Sequence, residues 1–323
     1  MSITFEQVSF SYNPLSKRQI KAGETPKYAL KNVSFSLEDG EFLAIAGHTG
    51  SGKSTLTQHF NGLVHPTEGR VLWKGKDLAN KKTAIEARGD IGLVFQYPEH
   101  QLFAASVYED VAFGPRNLGL SSREVEERVR EALDQVNLSF DELRDVSPFE
   151  LSGGQQRRVA FAGVLAMRPS VLVLDEPVAG LDPASREDFL TLIEKFHRSG
   201  LTIVMVSHNM NDISRLADRV LVMNKGEIAW LGTPEEVFSH AKELREIGLG
   251  VPHSVRLANK LRDLGFNLEE KLYLPNTLAD AIAKELSRHC SVLENKAPKD
   301  RAPESKPSET KAATSSQEQS GEE

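Results

Sequence analysis

The chain has a single cysteine, Cys290, in 323 residues. One thiol excludes a disulfide within the chain and suits a reducing compartment. Long apolar runs are missing too. Val171 to Leu174 and Thr202 to Val206 fall far short of the ~20 residues that a membrane-spanning helix needs. Nothing at the start resembles a signal peptide, because Met1 to Phe10 alternates like a strand. Nor is there a basic excess: 39 Lys and Arg against 46 Asp and Glu leave a formal charge of −7, which argues against nucleic acid as the main partner. These absences predict a chain that serves a membrane, if it does, by docking to something that spans it. The length suffices for one large α/β domain with a smaller appendage, and the core needs no staples.

What is present is organised around Gly47-His48-Thr49-Gly50-Ser51-Gly52-Lys53-Ser54. The run before it, Phe42 to Ala46, reads as a buried strand. From Thr55 onward, Leu56, Phe60 and Leu63 recur at helical spacing. A strand ending in a glycine-rich turn that opens a helix converges backbone N–H groups and the positive helix end on one spot. The spacing G-x-x-x-x-G-K-S fits the phosphate-loop pattern in full. It predicts Lys53 on the β- and γ-phosphates of a nucleoside triphosphate and the Ser54 hydroxyl on Mg²⁺.

Along the rest of the chain, Ile3 to Phe10 and Ala29 to Leu37 read as strands, joined by a polar, basic tip at 13–28. Tyr12 is either a base-stacking aromatic or an ordinary strand-end residue, and Tyr28 is a weaker candidate of the same kind. Gly69 to Trp73 and Ile91 to Gln96 are further strands. Gln96, at a strand end, can reach a metal or a water, or be a plain loop residue. Residues 99–150 lose the strand pattern. Ser121 and Glu124 form a capping box there, with Val125, Val129, Leu133 and Val136 on one face of the helix that follows. This predicts a helical insert used for partner recognition. Leu151-Ser152-Gly153-Gly154-Gln155 opens a helix that Pro169 stops, and is either an anion cradle or a simple capped start. Val171 to Leu174 ends in Asp175-Glu176, where ligands bind in parallel sheets. There Asp175 suits Mg²⁺ and Glu176 suits an attacking water. Leu201 to Val206 ends in Ser207-His208, which brings His208 to the same edge, within reach of a γ-phosphate. A hairpin (Val220 to Met223, Glu227 to Leu231) and a helix from Pro234 close the core near residue 245. Residues 246–292 predict a small helical extension, with one helix carrying Val255, Leu257, Leu261 and Leu264. A second, capped by Asn276 or Thr277, carries Leu278, Ile282 and Leu286. From 293 to 323 the composition cannot support a core and predicts disorder.

The ordered set of phosphate loop, Gln96, Leu151 to Gln155, Val171 to Glu176, Ala179-Gly180-Leu181-Asp182 and His208 resembles the ATP-binding cassette ATPases. The likeness runs from about residue 3 to 240. It implies a phosphate-loop NTPase core with an antiparallel β subdomain, ATP and Mg²⁺ as cofactors, and ATP hydrolysis. Ser54, Gln96 and Asp175 would attend the metal, Glu176 the water, His208 the γ-phosphate and Tyr12 the adenine. It further implies two cassettes closing head-to-tail, with Ser152, Gly153, Gly154 and Gln155 serving the γ-phosphate held by the other copy's Lys53. Asp182 would sit in the loop crossing between the copies.

Phe95-Gln96-Tyr97-Pro98-Glu99-His100-Gln101-Leu102-Phe103, with Glu109-Asp110-Val111-Ala112-Phe113-Gly114-Pro115, is similar to the energy-coupling factor transporter ATPases, in the form of the second of their two paralogues. That likeness implies uptake of vitamins or transition-metal ions through a transmembrane coupling protein and a substrate-binding membrane subunit. It also implies an unlike partner ATPase, though two identical copies would also satisfy the motifs, and a peripheral location on the cytoplasmic face of the membrane. Glu109 and Asp110 are expected to offer charge to an arginine of the coupling protein. The rival readings are the ATPase of a conventional substrate-binding-protein-dependent importer and a cassette ATPase outside transport.

Overall fold

The fold follows from where the apolar runs can be buried. The computed structural model describes residues 2–15, 25–269 and 271–296. Its strands are β1 (Ile3–Phe10), β2 (Leu30–Leu37), β3 (Phe42–Gly47), β4 (Glu68–Trp73), β5 (Lys76–Asp77), β6 (Ile91–Val94), β7 (Val171–Asp175), β8 (Thr202–Val206), β9 (Arg219–Asn224) and β10 (Glu227–Gly232). Every residue of β3, β7 and β8 is buried, so these strands need cover on both faces, which the middle of a layered parallel sheet supplies. They lie in a six-stranded sheet of order β10-β9-β3-β8-β7-β6. All its pairings are parallel except that of β10 on β9. A second, antiparallel sheet has the order β2-β1-β4-β5.

Strand alternation sorts side chains into layers. Leu43 and Ile45 of β3 join Val204 and Val206 of β8 in a cluster with Phe5, Phe35, Leu56 and Phe60 under the antiparallel sheet. Phe5 stacks on Phe35 at 4.6 Å between ring centroids and meets the edge of Phe60 at 5.0 Å. Burying each such ring is worth about 1.5–3 kcal/mol. The opposite residues, Leu172, Leu174, Ile203 and Met205, face the helical side.

The helices are α1 (Lys53–Phe60), α2 (Lys81–Asp90), α3 (Val107–Asn117), α4 (Ser122–Gln135), α5 (Phe140–Leu143), α6 (Gly153–Leu165), α7 (Pro183–Arg198), α8 (Met210–Leu216), α9 (Pro234–Ser239), α10 (Ala241–Glu246), α11 (His253–Asp263) and α12 (Pro275–Lys296). The expected insert is α3 to α5 flanked by two short 3-10 turns, Pro98–Gln101 and Pro148–Glu150. Its capping box forms at Ser121 and Glu124, and Val125, Val129, Leu133 and Val136 are buried as the spacing predicted.

The extension differs from expectation in its faces. Leu257, Leu264 and Leu286 are exposed at 47%, 76% and 48%. The small Ala258 lets α11 approach Leu268, Leu272 and Leu278 closely, so the buried stripe of α11 runs through Ser254, Val255 and Ala258 and leaves Leu257 beside it. Leu264 lies past the last turn. Neither Asn276 nor Thr277 is the cap: both lie within α12, and the Thr277 hydroxyl donates to Leu274 O at 2.9 Å. Helix α12 continues to Lys296. The remainder of the expected disordered tail, and residues 16–24 of the basic tip, lie outside the described residues. Among the described residues no helix is long and apolar enough to cross a membrane.

Candidate active site

Because β3, β6, β7, β8 and β9 run in the same direction, their C-terminal ends share one edge. The phosphate loop, Gln96, Asp175-Glu176 and Ser207-His208 each lie at one of those ends, and β3 sits where the chain's connections diverge to either side, the usual ligand position in such sheets. A cleft of about 580 Å³ opens there, lined among others by Tyr12, Lys53, Ser54, Gln96, Glu176 and His208.

The phosphate loop is held tightly from below. Gly52 has φ of 106°, and a methyl group there would lie 2.7 Å from Ala29 O. A methyl on Gly47 would lie 2.6 Å from Met223 O. Glycine is therefore obligatory at both positions. Gly226 N–H donates to Ser51 O at 3.0 Å, and the His48 ring lies 3.2 Å from Asn224 Oδ1 and 2.8 Å from Thr49 O. Helix α1 has no side-chain cap, so its first N–H groups are left for an anion. Lys53 Nζ donates to Gly47 O at 2.7 Å and His48 O at 3.1 Å. Burial pushes the Lys53 ammonium pKa down, against the raising pull of Glu176 and Asp175.

Asp175 ends β7 and is 6% exposed. Burial pushes its carboxyl pKa up, with the Ser54 hydroxyl and Lys53 opposing. Glu176 takes a left-handed backbone, φ of 50°, a strain of ~1–3 kcal/mol for a non-glycine residue. Its N–H donates to Val206 O at 3.1 Å, which ties it to β8. One carboxylate oxygen lies 2.5 Å from His208 Nε2, and the other accepts from Gln96 Nε2 at 3.2 Å. Gln96 and His208, from two other strand ends, thus meet on Glu176. Tyr12 stands at the mouth, 60% exposed, with its hydroxyl 2.9 Å from Thr55 Oγ1 and its ring against the edge of Phe10.

Four lining or supporting residues escaped the sequence reading: Ala29, Asn224, Lys225 and Gly226. The only signal was that the Asn224-Lys225-Gly226 turn follows a strand whose neighbours end in site residues.

The Ser152–Gln155 segment is not in this cleft. Ser152 caps α6, and its N–H donates to Gln155 Oε1 at 3.1 Å, completing a capping box. Neither Gly153 nor Gly154 has a left-handed backbone, and a methyl on either would meet nothing within 4 Å.

The sequence model described as ABC transporter matches residues 30–179. The chain is 53% identical over 284 residues to the energy-coupling factor transporter ATP-binding protein EcfA2 of Symbiobacterium thermophilum, spanning 88% of this chain and 95% of the relative. The protein of that name from Clostridium perfringens is 48% identical over 286 residues, 87% of this chain and 97% of its own length. This chain belongs to the energy-coupling factor transporter ATP-binding proteins. The solved structure of cbiO1 from Clostridium perfringens, described as part of the ABC transporter complex cbiONQ, matches with a TM-score of 0.65 and 36% identity over 80% of this chain and 98% of that one. A dimeric ATP-binding cassette in a post-hydrolysis state bound to ADP and Pi gives a TM-score of 0.62 and 30% identity, covering 72% and 98%. The energy-coupling factor ATPase described here therefore has a phosphate-loop NTPase fold, binds and hydrolyses ATP, and is the ATPase subunit of a transporter.

In this energy-coupling factor ATPase a second hollow, about 440 Å³, lies between α2, α3 and α6, with Ile85, Phe103, Phe113, Leu118, Val164 and Met167 among its lining. Phe103 and Phe113 are 61% and 51% exposed and meet edge to face at 5.0 Å. The charge expected to be on offer beside it is already engaged. Asp110 Oδ2 accepts from the Phe103 and Ala104 N–H groups at 2.9 Å each, and Glu109 pairs with Arg116, whose Nη2 lies 3.0 Å away. Asp110 clasps the loop before its own helix, and Glu109 is neutralised by its own side of the insert.

Proposed function

We propose that two cassettes, this chain and an unlike paralogue, close head-to-tail on two ATP molecules and so drive a transmembrane coupling protein. One observation carries the proposal: Gly153 and Gly154 have no internal reason to be glycine. Gly153 and Gly154 are the first two residues of α6, and neither backbone strain nor close packing calls for glycine there. Bare backbone at an open helix start suits the close approach of a phosphate held by another molecule. The cleft that holds Lys53 contains none of the Ser152–Gln155 residues, so each centre is completed only across the pair.

Within one cleft, Tyr12 stacks on adenine while Lys53 and the α1 amides bind the β- and γ-phosphates. The donors near the γ-phosphate position, a serine hydroxyl, a carboxamide and a buried carboxylate, are hard oxygen ligands that suit Mg²⁺. No group of three or more His, Cys, Asp or Glu that could hold a metal occurs among the described residues. Mg²⁺ is held by a few protein oxygens together with substrate phosphates. Ser54, Asp175 and Gln96 would hold it, and it would neutralise charge on the phosphates. Glu176 orients the attacking water, and His208 and Gln96 hold Glu176 from either side. Exposed Phe103 and Phe113 in the second hollow receive an apolar helix of the coupling protein, which keeps the chain at the cytoplasmic membrane face. Solute choice, vitamin or metal ion, then rests with another polypeptide.

Glu176→Gln tests this reading. With ATP and the paralogue it is expected to run as a stable dimer in light scattering while turnover falls by ~100-fold or more. Unchanged turnover per molecule in the native chain, diluted until no dimer remains, overturns it.

A further inference from the structure

Arg157 is the one arginine of α6 that is almost wholly enclosed, with its side chain 4% exposed. Its guanidinium forks onto Glu99, Nε to Oε2 at 3.0 Å and Nη2 to Oε1 at 2.8 Å. The remaining face donates from Nη1 to Ala179 O at 2.8 Å and Pro177 O at 3.3 Å. Four acceptors from two other segments therefore converge on one planar cation, which a lysine's point charge cannot replicate. Glu99 is 17% exposed. Burial alone would raise its carboxyl pKa, but the Arg157 hydrogen bonds and charge bring it below the ordinary value.

The positions of these partners in the chain give the contact its meaning. Glu99 is three residues after Gln96, Pro177 and Ala179 are one and three residues after Glu176, and Arg157 is five residues after Ser152. Five residues of helix are about one and a half turns, so α6 carries Ser152 and Arg157 as one rigid piece. The Tyr97 ring packs over Gly180, where an added methyl would lie 3.4 Å from Cε1, and fastens the same two segments a second time. Gln96 and Glu176 also meet directly.

We propose that Arg157, held by Glu99, is a positioning residue. It locks the Gln96 and Glu176 segments of one centre to the helix whose tip, Ser152, completes the other centre. Filling one cleft moves Gln96 and Glu176, and the fork passes that movement to Ser152, so the two centres fire together. This inference rests on the head-to-tail reading above.

The test uses the assembled pair of cassettes with Arg157→Lys, Glu99→Gln and the double variant. The expected result has four parts. ATP affinity of each solitary variant chain stays within two-fold of native, and the lysine variant, which keeps the charge, melts within about 5 °C of native. In the pair, kcat falls at least ten-fold. The Hill coefficient for ATP falls toward 1. The double variant is no slower than the slower single. Native kcat and Hill coefficient in Arg157→Lys overturn the proposal. So does a loss of affinity and melting temperature in step with kcat, since that marks a merely structural residue. The native pair run alongside separates the two ideas: if it forms no ATP-driven dimer, the head-to-tail reading fails first and the coupling role falls with it.

Discussion

Two glycine-rich segments open helices in this chain, and they are built oppositely. In Gly47–Ser54 the glycines are demanded from within: Gly52 is left-handed and lies under Ala29 O, and Gly47 lies under Met223 O. Around Ser152 the glycines face open space, and the capping box takes up the Ser152 and Gln155 N–H groups but not those of Gly153 and Gly154. The first is a binding loop finished by its own chain. The second is a half-site whose reason lies in another molecule. Stability and function should therefore part company at the second and travel together at the first.

The sharpest way to break that contrast is Gly154→Asp. A carboxylate aimed at a partner's γ-phosphate should cut turnover of the pair by roughly 100-fold or more. The solitary chain should melt and bind ATP as the native one does, since the side chain enters open space. A large loss of thermal stability in the solitary chain would show that the segment is internally constrained after all. Gly52→Ala should do the reverse. The left-handed backbone and the 2.7 Å approach to Ala29 O predict a destabilisation of about 1–3 kcal/mol with loss of ATP binding, read by denaturant melts and equilibrium titration.

The smallest effect sharpens the account of how the first loop is backed. His59, on α1, is fully buried. Nδ1 lies 2.7 Å from Thr55 O, the ring meets the edge of Phe10, and Nε2 has no partner. Burial pushes its pKa down, with the Thr55 carbonyl opposing and His65 adding to the drop. A depressed folded pKa means that the unfolded chain takes up the proton first. The contribution of His59 to stability is therefore complete above its unfolded pKa of ~6.5 and is lost as the pH falls toward the folded value. Melts between pH 7 and 5 should show a shallower acid-side decline for His59→Gln than for the native chain. Equal slopes would remove His59 from the account.

Local spacing made much of the active edge legible. Gly47 to Ser54 announces itself because a phosphate cradle is a contiguous run of backbone, and Asp175, Glu176 and His208 each follow an apolar strand. The internal role of Asp110 was not legible because a carboxylate at a helix start has the same sequence appearance whether it faces a partner or, as here, the Phe103 and Ala104 amides. Leu257 and Leu264 were misjudged because apolar periodicity does not reveal which side the small Ala258 opens to the neighbouring helix.

By itself, then, the sequence determined the chemistry carried on single segments: the phosphate loop, the strand-end carboxylates, the capping boxes and the helical insert. These depend on neighbours a few residues apart, which pattern records. Only the tertiary structure decided that Gln96 and His208 both seize Glu176, that the Asn224-Lys225-Gly226 turn underlies the nucleotide cleft, and that Glu99 and Arg157, 58 residues apart, share one buried fork. Those contacts arise when parallel strands bring distant chain ends to a common edge. Burial strengthens the Glu99–Arg157 pair in addition, and no spacing along the chain encodes that.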